Sequence, residues 1–457
     1  MRRFVPIVVT LCALGWITLE YRSPSVAPAL DHLLLVSIDT LRADHLGAYG
    51  AAPDLTPTLD ALAAEGVVVE HAMATAPTTL ASHASLLTGL WPHTHGVPRN
   101  GFVLDAEVPT LADHLATHGF HTAGFVGATP LSASTALDRG FAVYDDVRAS
   151  GHAERTAAEV NRAVFEHLDS APDGRTFLFV HYYDVHTPYG SPDGHIDDPG
   201  AVEAARATAT SPVGGFGHVR AVRTMLEQGA PEASVHSQAL ASLYRSGVRY
   251  ADARLGELIR GLRRRGLLER TLVLVTADHG EAMNHPEEIW DHGYSVIEDT
   301  IHVPLILRFP GRAHAGRRLD DLVSLVDVVP TVCEALGVPA LETDGRSVMP
   351  ALDGRGLAPR SPAFAEATKP WRSDGTTGWA NALLPKAARR GSRKVIWEPA
   401  TDRVRGIELP SGAASTPAPG LVRALRTWSD GAEPPPAVEV GDDVERALLE
   451  ALGYTGD

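Results

Sequence analysis

The stretch that decides the fold is residues 272–281, which read Leu-Val-Leu-Val-Thr-Ala-Asp-His-Gly-Glu. The four apolar residues predict a strand buried on both faces, and the polar residues after them place Asp278 and His279 just beyond its end. Residues 33–38 form a second, mostly apolar run, which leads into Asp39 in the same way. Because the carboxyl ends of parallel strands open onto one crevice, we expect Asp39 and Asp278 to meet around one cation.

Strand and helix patterns alternate along most of the chain. Apolar residues 122–126 and 177–183 predict further buried strands, and residues 57–65, 110–118 and 240–264 carry the spacing of helices. Alternation of this kind is typical of a mostly parallel sheet that is covered by helices on both faces. The sequence therefore predicts an α/β fold.

Composition limits the classes of function. The chain has 457 residues, ordinary hydrophobic content and a net charge of −16, so broad nucleic-acid binding is not expected. Its two cysteines are Cys12 and Cys333. The first lies in the N-terminal segment, and the second lies in an apolar helix-like segment, where a packed core thiol is expected. No internal disulfide is predicted for a mature chain that lacks Cys12.

The N-terminus has the pattern of an export signal. Two arginines follow Met1, and an apolar run then extends over residues 4–19. We interpret residues 1–28 as a signal peptide with a weakly marked cleavage site near residues 26–29. An uncleaved N-terminal anchor and a buried first strand are the alternatives. Export predicts a periplasmic or extracellular location, with contact to a membrane only through such an anchor.

Seven ordered segments resemble those of one enzyme family. They are residues 37–44, 56–66, 78–89, 92–97, 184–186, 276–281 and 303–311. In these segments the chain resembles the sulfatase family, within the alkaline-phosphatase superfamily of metal-dependent phosphate- and sulfate-ester hydrolases. The resemblance runs from about residue 33 to residue 454. It implies an alkaline-phosphatase-like α/β/α sandwich with a mostly parallel central sheet and a small C-terminal α+β subdomain.

The resemblance also suggests how the chain is divided. A sulfatase-like catalytic domain is expected over residues 29–353 and a C-terminal subdomain over residues 354–457. Gly, Pro, Ala, Asp and Ser dominate residues 190–234, which we interpret as a loop-rich insertion, either a lid over the site or a solvated excursion. In the C-terminal part, residues 410–437 read as a poorly ordered linker and residues 444–452 as a terminal helix.

The metal ligands implied by the resemblance are Asp39, Thr79, Asp278 and His279. The family often has a second carboxylate directly after the first, where this chain has Thr40. Fewer carboxylates and an imidazole favour zinc or manganese, while magnesium and calcium stay open. We expect one divalent ion. A second metal is left open, because Asp184 and His186 would share one face of an extended segment and His292 could join them, although the spacing differs from that of two-metal relatives.

Thr79 is the most informative departure from the family. Aligning residues 86–89 places it where sulfatases carry the cysteine or serine that is oxidised to formylglycine. A threonine is a secondary alcohol and cannot give that aldehyde. We predict instead that the Thr79 hydroxyl, activated by metal, is the nucleophile. The alternatives are a turn threonine in an inactive relative, or a neighbour such as Thr78 or Ser82 acting in its place.

The transferred sulfate or phosphate group is anionic, so its reaction needs side chains that stabilise negative charge. Five histidines in the matched segments are the candidates. We predict catalytic roles for His186, His95 and His83, and substrate-binding roles for His93, His292 and Asp184. The alternative for each histidine is a hydrogen-bonded structural role near the strand ends.

The predicted activity is metal-dependent hydrolysis of a sulfate or phosphate ester. The family resemblance favours sulfate esters, and a threonine nucleophile favours phosphate esters. The expected partner is a small-molecule, glycan or lipid ester. One alternative is a transferase that passes a phospho-alcohol head group from a lipid to an envelope acceptor. The other is a non-catalytic relative that has lost its metal.

Overall fold

The computed structural model describes residues 30–52, 54–147, 153–357, 362–369, 379–431, 438–441 and 447. The predicted signal peptide, Cys12 and nearly all of the predicted terminal helix over residues 444–452 lie outside these ranges. In the described part, no helix has both the length and the hydropathy needed to cross a membrane.

The described residues form strands that belong to four sheets. In chain order they are β1 His32–Ile38, β2 Val67–Met73, β3 Phe102–Val103, β4 Phe120–Phe125, β5 Val143–Asp145, β6 Arg175–Tyr182, β7 Thr271–Thr276, β8 Ala282–His285, β9 Glu288–Asp291, β10 His302–Val303, β11 Leu305–Arg308, β12 Arg317–Ser324, β13 Ala363–Glu366, β14 Lys386–Arg390, β15 Arg393–Glu398, β16 Arg403–Glu408, β17 Ala413–Ser415 and β18 Val438–Glu439.

The α-helices lie between these strands. They are α1 Pro57–Glu65, α2 Thr79–Thr88, α3 Pro92–His95, α4 Leu111–Thr117, α5 Ala157–Ser170, α6 Pro199–Arg206, α7 Phe216–Glu227, α8 Ala233–Arg264, α9 Glu298–Ile301, α10 Val328–Leu336, α11 Met349–Leu352 and α12 Pro419–Asp430.

A nine-stranded sheet forms the centre of the molecule. Strand β1 pairs in parallel with β6 on one side and β7 on the other, and β4 and β5 continue the parallel part beyond β6. Beyond β7, β11 is antiparallel and leads to β2, which also pairs with β10 and β12. Every residue of β1 and β7 is buried, so both faces of the sheet are covered. The predicted mostly parallel α/β sandwich is therefore confirmed.

A smaller antiparallel sheet of β13 to β17 follows the central domain. Helix α12 packs on β14 and β15, and Leu421 and Leu425 on its inner face join a cluster that includes Phe364, Val395 and Trp91. Because Trp91 comes from the central domain, this cluster links the two parts of the molecule. Cys333 is buried in the main core, as its apolar surroundings predict.

The prediction of a loop-rich insertion over residues 190–234 is wrong in part, because about half of the segment is helical and loops connect the helices. This segment contains α6, α7 and the first residues of α8, which begins at Ala233. Asp198 caps α6 and accepts a hydrogen bond from the N–H of Ala201, while Pro199 occupies the first turn. Val202 is buried, and α6 packs along α8. The Asp198-Pro199 pair is a helix start signal in the sequence, and the alanines after it are good helix formers. The prediction failed because the Gly, Pro and Ser content of the segment was given more weight than these signals.

The prediction of a poorly ordered linker over residues 410–437 is also wrong in its described part. Strand β17 and helix α12 lie within it. Pro419 stands in the first turn of α12, and Leu421 and Leu425 are four residues apart on one buried face. A spacing of four residues between two leucines indicates a helix. The prediction of a linker failed because it relied on the abundance of Pro and Gly on either side of this pair. Residues 432–437 lie outside the described part.

Candidate active site

Asp39 occupies the turn directly after β1, at the carboxyl end of the central sheet. Its N–H donates to the carbonyl oxygen of Tyr182 at 2.9 Å. The next residue, Thr40, has a φ of 54°, a left-handed conformation that is uncommon for a β-branched residue and is found mostly where function requires it. The Thr40 hydroxyl donates to the Asp39 carbonyl, and the Tyr244 hydroxyl donates to the Thr40 carbonyl, both at 2.8 Å. These contacts fix the turn and the direction of the Asp39 side chain.

His181, near the end of β6, orients the Asp39 carboxylate. Its Nδ1 lies 3.3 Å from the N–H of Gly127 and must accept, so the neutral ring carries its proton on Nε2. That nitrogen donates to Asp39 Oδ2 at 3.2 Å. Burial lowers the pKa of His181 to about 3, so the ring stays neutral. The other carboxylate oxygen, Asp39 Oδ1, is buried and has no hydrogen-bond partner within the described ranges.

Asp278 and His279 follow β7 and face Asp39. Asp278 Oδ1 accepts from the N–H groups of His279 at 2.8 Å and Thr40 at 3.3 Å. His279 Nδ1 lies 2.8 Å from the Gly280 carbonyl and therefore donates to it. His279 Nε2 then lies 3.4 Å from Asp278 Oδ2 and 4.0 Å from Asp39 Oδ1. Neither Nε2 nor Asp278 Oδ2 has a hydrogen-bond partner among the described residues.

Thr79 is the first residue of α2. The preceding residue, Thr78, makes no side-chain cap, and the Leu80 N–H donates to Asn100 Oδ1 at 2.7 Å. The Thr79 hydroxyl is buried, and no described residue has an atom at the distance and angle of a normal hydrogen bond to its Oγ1. The free N–H groups of a first helical turn carry partial positive charge, which favours negative charge on a nearby oxygen.

Three atoms without a geometrically satisfied hydrogen bond in the described residues thus come together, Asp39 Oδ1, Asp278 Oδ2 and His279 Nε2. The Thr79 hydroxyl lies beside them, close enough to the Asp39 carboxylate to lower its pKa by hydrogen bonding. Asp39, Asp278 and His279 each offer a ligand atom within 4.8 Å of the others, and no second such group of three occurs in the described ranges. Buried polar atoms rarely lack partners, and each one left so is costly. Two carboxylate oxygens, an imidazole nitrogen and a hydroxyl form a donor set that suits a divalent cation.

The electrostatics of the site agree with this donor set. Burial raises the pKa of Asp39 to about 7. Burial also raises the pKa of Asp278 well above its usual range, and the negative charge of Asp39 adds to the effect. Two carboxylates so close and so deeply buried need positive charge between them if both are to ionise. A bound cation would supply that charge.

Three histidine rings line up beside the acidic pair. The ring of His292 lies 4.5 Å from that of His279 and 5.2 Å from that of His186, centroid to centroid. Glu281 holds His292 in place, because its Oε1 lies 3.2 Å from His292 Nδ1 while its Oε2 accepts from the Tyr189 hydroxyl at 2.7 Å. His292 Nε2 is buried and has no hydrogen-bond partner in the described residues.

A sequence model of the sulfatase family matches residues 31–338, which is more than half of the chain. The chain belongs to the sulfatase family. Arylsulfatase K of Bos taurus is 42% identical over 101 residues, a match that spans 22% of this chain and only 18% of the bovine protein. The uncharacterized sulfatase YidJ of Escherichia coli is 23% identical over 369 residues, which cover 71% of this chain and 72% of that protein.

Solved structures share the fold of this sulfatase-family chain. The phosphonate monoester hydrolase of Agrobacterium radiobacter superposes with a TM-score of 0.64 at 21% identity, covering 88% of this chain and 94% of that one. A protein in complex with its substrate D-glucosamine-2-N,6-O-disulfate gives a TM-score of 0.65 at 17% identity, over 84% of this chain and 92% of that one. At these identities the likeness establishes the architecture alone.

Within this sulfatase-family site, the structure brings seven of the residues predicted for it together. They are Asp39, Thr79, His83, His186, Asp278, His279 and His292. Both ring nitrogens of His83 are in use, Nδ1 donating to the Thr79 carbonyl at 2.7 Å and Nε2 accepting from the Ser37 hydroxyl at 2.8 Å. Burial lowers the pKa of His83 well below its usual value, which keeps the ring neutral. Its geometry fits a residue that positions Thr79.

Three other residues predicted for the site lie elsewhere. His95 is packed against α2, where its Nδ1 accepts from the Val97 N–H at 3.1 Å and its Nε2 lies 3.1 Å from Ser85 Oγ. His93 packs against the C-terminal helix, with its ring 4.6 Å from that of Trp428. The third is Asp184, whose carboxylate accepts from the N–H of Ala157 at the start of α5 at 2.9 Å. None of these contacts involves the acidic pair.

Three residues of the site were not predicted from the sequence. His181 is the first polar residue after the apolar run 177–180, but its place beside Ser37 in the next strand follows only from the strand pairing. Glu281 ends the segment that carries Asp278, and nothing in the sequence around it indicates that it contacts His292. Asn100, whose Nδ2 is buried and has no hydrogen-bond partner in the described residues, reaches the start of α2 from a loop and has no sequence pattern that marks it.

Proposed function

We propose that this protein hydrolyses sulfate or phosphate esters with the help of one divalent ion held by Asp39, Asp278 and His279. The observation that carries this proposal is the convergence of buried, unpartnered donor atoms beside the Thr79 hydroxyl at the start of α2. Membership of the sulfatase family supports the reaction class. Zinc or manganese suits the mixed oxygen and nitrogen donors best.

Thr79 is the nucleophile in this proposal. A divalent cation bound at the site would lower the pKa of the Thr79 hydroxyl and stabilise charge on the ester oxygens. Thr79 Oγ1 then releases its proton to water and forms a bond to the sulfur or phosphorus, while the bond to the leaving oxygen breaks and that oxygen takes a proton from His186. Water subsequently attacks the same atom and restores the free hydroxyl. The partial positive charge at the start of α2 favours the transferred anion at this position.

His186 supplies the proton for the leaving group in this scheme. Its Nδ1 lies 2.6 Å from the Thr187 carbonyl and donates to it, so Nε2 carries a proton only in the imidazolium form. Burial lowers the pKa of His186 well below its usual value, and the charge of His292 adds to this. An incoming sulfate or phosphate group places negative charge beside the ring and favours the protonated form. Proton donation is thereby coupled to substrate binding.

His292 and His83 complete the arrangement. His292 directs its free Nε2 toward the site because Glu281 faces its other nitrogen. In the imidazolium form, in which Nδ1 donates to Glu281, its Nε2 would donate to a non-bridging oxygen of the ester. His83 holds the carbonyl of Thr79 and so fixes the start of α2. The predicted catalytic role of His95 and the substrate-binding roles of His93 and Asp184 form no part of this scheme, since their side chains are engaged elsewhere.

The N-terminal sequence adds a location to the proposal. Two arginines before a short apolar run are typical of an exported protein, so we infer action on an ester outside the cytoplasm. The solved neighbours act on a sulfated glucosamine and on phosphonate monoesters by their descriptions. We therefore include a sulfated sugar and a phosphonate monoester among the substrates to be tested.

The test is turnover by metal-loaded protein of an aryl sulfate, a phosphate monoester, a phosphodiester, a phosphonate monoester and a sulfated glucosamine. Chelation should abolish turnover, and return of zinc or manganese should restore it. Thr79→Ala should lower kcat by about 1,000-fold or more, while Thr79→Ser, which keeps a hydroxyl, should retain measurable activity. Unchanged turnover in Thr79→Ala contradicts the nucleophile. Transfer to an added alcohol in place of water would indicate the transferase alternative, and absence of bound metal would indicate the non-catalytic one.

A further inference from the structure

Two buried histidines outside the proposed site face each other between α7 and α8. His218 is 1% exposed and His236 is fully buried. His218 Nε2 lies 2.8 Å from His236 Nδ1. At one end the N–H of Gly214 lies 3.2 Å from His218 Nδ1, and at the other Thr208 Oγ1 lies 3.0 Å from His236 Nε2. These three contacts, which we call the histidine link, tie the segment after α6 to the starts of α7 and α8.

The backbone fixes the direction of every bond in the histidine link. The Gly214 N–H can only donate, so His218 Nδ1 accepts and the neutral ring carries its proton on Nε2. That proton is donated to His236 Nδ1, so His236 carries its own proton on Nε2 and donates it to the Thr208 hydroxyl. A further proton on either ring must add to a nitrogen that already accepts a hydrogen bond. The histidine link is therefore intact only while both rings are neutral.

Helix α7 contacts a residue that supports His186. Phe216, the first residue of α7, packs against the small cluster that contains Tyr183. The ring of Tyr183 stacks on that of His186, with 4.4 Å between the ring centroids. The position of α7 is thus coupled to the ring that donates the proton in the proposed reaction.

The loop before α7 is connected to His292. The Gly214 carbonyl accepts from the N–H of Tyr189 at 2.9 Å. The Tyr189 hydroxyl in turn donates to Glu281 at 2.7 Å, and the other oxygen of Glu281 faces His292. Gly214 therefore bonds both to the histidine link and to the residues that orient His292.

A second connection to His292 runs from the middle of α7. Arg223 donates to the Trp290 carbonyl at 2.9 Å and pairs with Asp291 at 2.8 Å. Asp291 accepts from the N–H of His292 at 2.8 Å through its other oxygen. Helix α7 thus contacts the hairpin of β8 and β9 as well as the loop of Tyr189.

The surroundings of His218 do not favour a cation. Burial lowers the pKa of His218 from its ordinary 6.5 to about 4, and the charge of His236 adds to this effect. No carboxylate among the described residues opposes the shift. The other charged side chains of α7 and of the elements around the histidine link are Glu203, Arg206, Arg220, Arg223, Glu227, Glu232, Arg245, Glu288 and Asp291.

We propose that α6 and α7 form a latch over the neighbours of His186 and His292, and that protonation of the histidine link releases this latch in acid. An added proton breaks one of the hydrogen bonds and leaves a buried cation without a carboxylate partner. Because the folded pKa of His218 lies below its ordinary value, the latch is most stable above about pH 6.5 and weakens as the pH falls toward 4. The loss of support for the two catalytic histidines rests on the proposed function, whereas the opening itself does not.

Hydrogen exchange of backbone amides measures the opening whether or not the protein hydrolyses an ester. After correction for the intrinsic pH dependence of exchange, we expect the opening constant of α7 in wild type to rise about 20-fold from pH 7 to pH 5. The hairpin of β8 and β9 should follow the same pH dependence, while β1 in the centre of the sheet stays protected. Opening of α7 that is independent of pH overturns the proposal. A hairpin that stays protected while α7 opens overturns the coupling to His292.

His218→Gln tests the titrating group, because its amide can still donate to His236. We expect the rise in opening from pH 7 to pH 5 to fall to less than about threefold. His195→Gln, which removes an exposed histidine from the same 190–234 segment, is the matched control and should behave like wild type. A 20-fold rise that persists in His218→Gln overturns the role of His218.

A measurement on wild type keeps the test decisive if His218→Gln is already open at pH 7. Nitrogen-15 spectra of histidine-labelled protein at pH 7.5 report which ring nitrogen carries the proton. Both His218 and His236 should be neutral with the proton on Nε2. A charged ring, or a proton on Nδ1 of either residue, overturns the histidine link.

Discussion

His181 donates a hydrogen bond from Nε2 to Oδ2 of Asp39 at 3.2 Å, and this contact determines which oxygen of Asp39 remains free. The opposite nitrogen accepts from the Gly127 N–H, so the tautomer is set by the backbone. A residue that orients a metal-binding carboxylate without itself binding the ion is a common feature of metal sites. Here it lies near the end of β6, beside the strand that carries Asp39.

Removal of His181 should weaken metal binding without removing a ligand. We expect His181→Ala to lower the affinity for zinc or manganese about 10- to 100-fold, measured by calorimetric titration of chelated protein. His181→Gln can still donate to Asp39 and should recover part of the loss. His121→Ala is the matched control, because His121 lies at the opposite end of the sheet, paired with Thr176 at the start of β6. Equal affinities in wild type and His181→Ala would refute the orienting role.

Asp278→Asn should have opposite effects on metal-free and metal-loaded protein. The asparagine keeps an Oδ1 acceptor for the His279 and Thr40 N–H groups but removes one of two adjoining buried carboxylates. We therefore expect the chelated variant to unfold at a higher temperature than chelated wild type. Addition of metal should stabilise wild type strongly and the variant little. Thermal scans with and without metal measure both effects, and equal metal-induced shifts would argue against Asp278 as a ligand.

Gly280 is required by a close backbone contact next to the site. A Cβ at this position would lie 2.1 Å from the carbonyl oxygen of Asp299, and the Gly280 N–H already donates to the Thr300 carbonyl. Because backbone atoms cannot move aside easily, Gly280→Ala should lower the free energy of unfolding by about 1–3 kcal/mol. Gly420→Ala in α12, where nothing lies within 4 Å, should be neutral or slightly stabilising. Urea denaturation of both variants tests this, and equal stabilities would contradict it.

An ion-pair cluster joins the C-terminal sheet to the central domain and gives a pH dependence. Glu298 of α9 contacts Lys394 at 2.6 Å and Arg389 at 3.1 Å. Although burial opposes it, these cations hold the pKa of Glu298 at about 2, below its ordinary value of 4.5. Because the folded pKa is depressed, the stabilisation is complete above about pH 4.5 and is lost as the pH falls toward 2.

Glu298→Gln measures this contribution. With its side chain 28% exposed, solvent screening limits the effect, and we expect a loss of about 1–2 kcal/mol in the free energy of unfolding at pH 7. The difference from wild type should shrink on acidification below pH 4.5. Urea denaturation at a series of pH values tests the sign. A difference that grows as the pH falls would show that the cluster does not act through the charge of Glu298.

The central sheet was predictable because its strands are apolar runs that end in polar residues. Asp39 and Asp278 could be paired from sequence, since the carboxyl ends of parallel strands meet. Thr79, His186, His279 and His292 followed only from the family resemblance, because nothing local distinguishes them among 21 histidines and many threonines. The prediction failed where composition was read without spacing, as in α6, α7 and α12.

Some features depend on tertiary contacts that no local pattern reveals. His181 looks like an ordinary polar residue at a strand end, and its role appears only when β1 is placed beside β6. Asp184 matches a family segment but is used to bond the first N–H of α5. Tyr294 and Lys369 are far apart in sequence and meet because the C-terminal segment hydrogen-bonds to Gly293.

The claim on which the rest depends is that one divalent ion lies between Asp39, Asp278 and His279. Crystals of protein loaded with zinc or manganese, measured above and below the absorption edge of the metal, test it most directly. The account predicts one strong anomalous peak at about 2.0–2.3 Å from Asp39 Oδ1, Asp278 Oδ2 and His279 Nε2, next to Thr79 Oγ1. A metal-loaded protein with no peak there, or with its peak bound by other residues, would contradict the account.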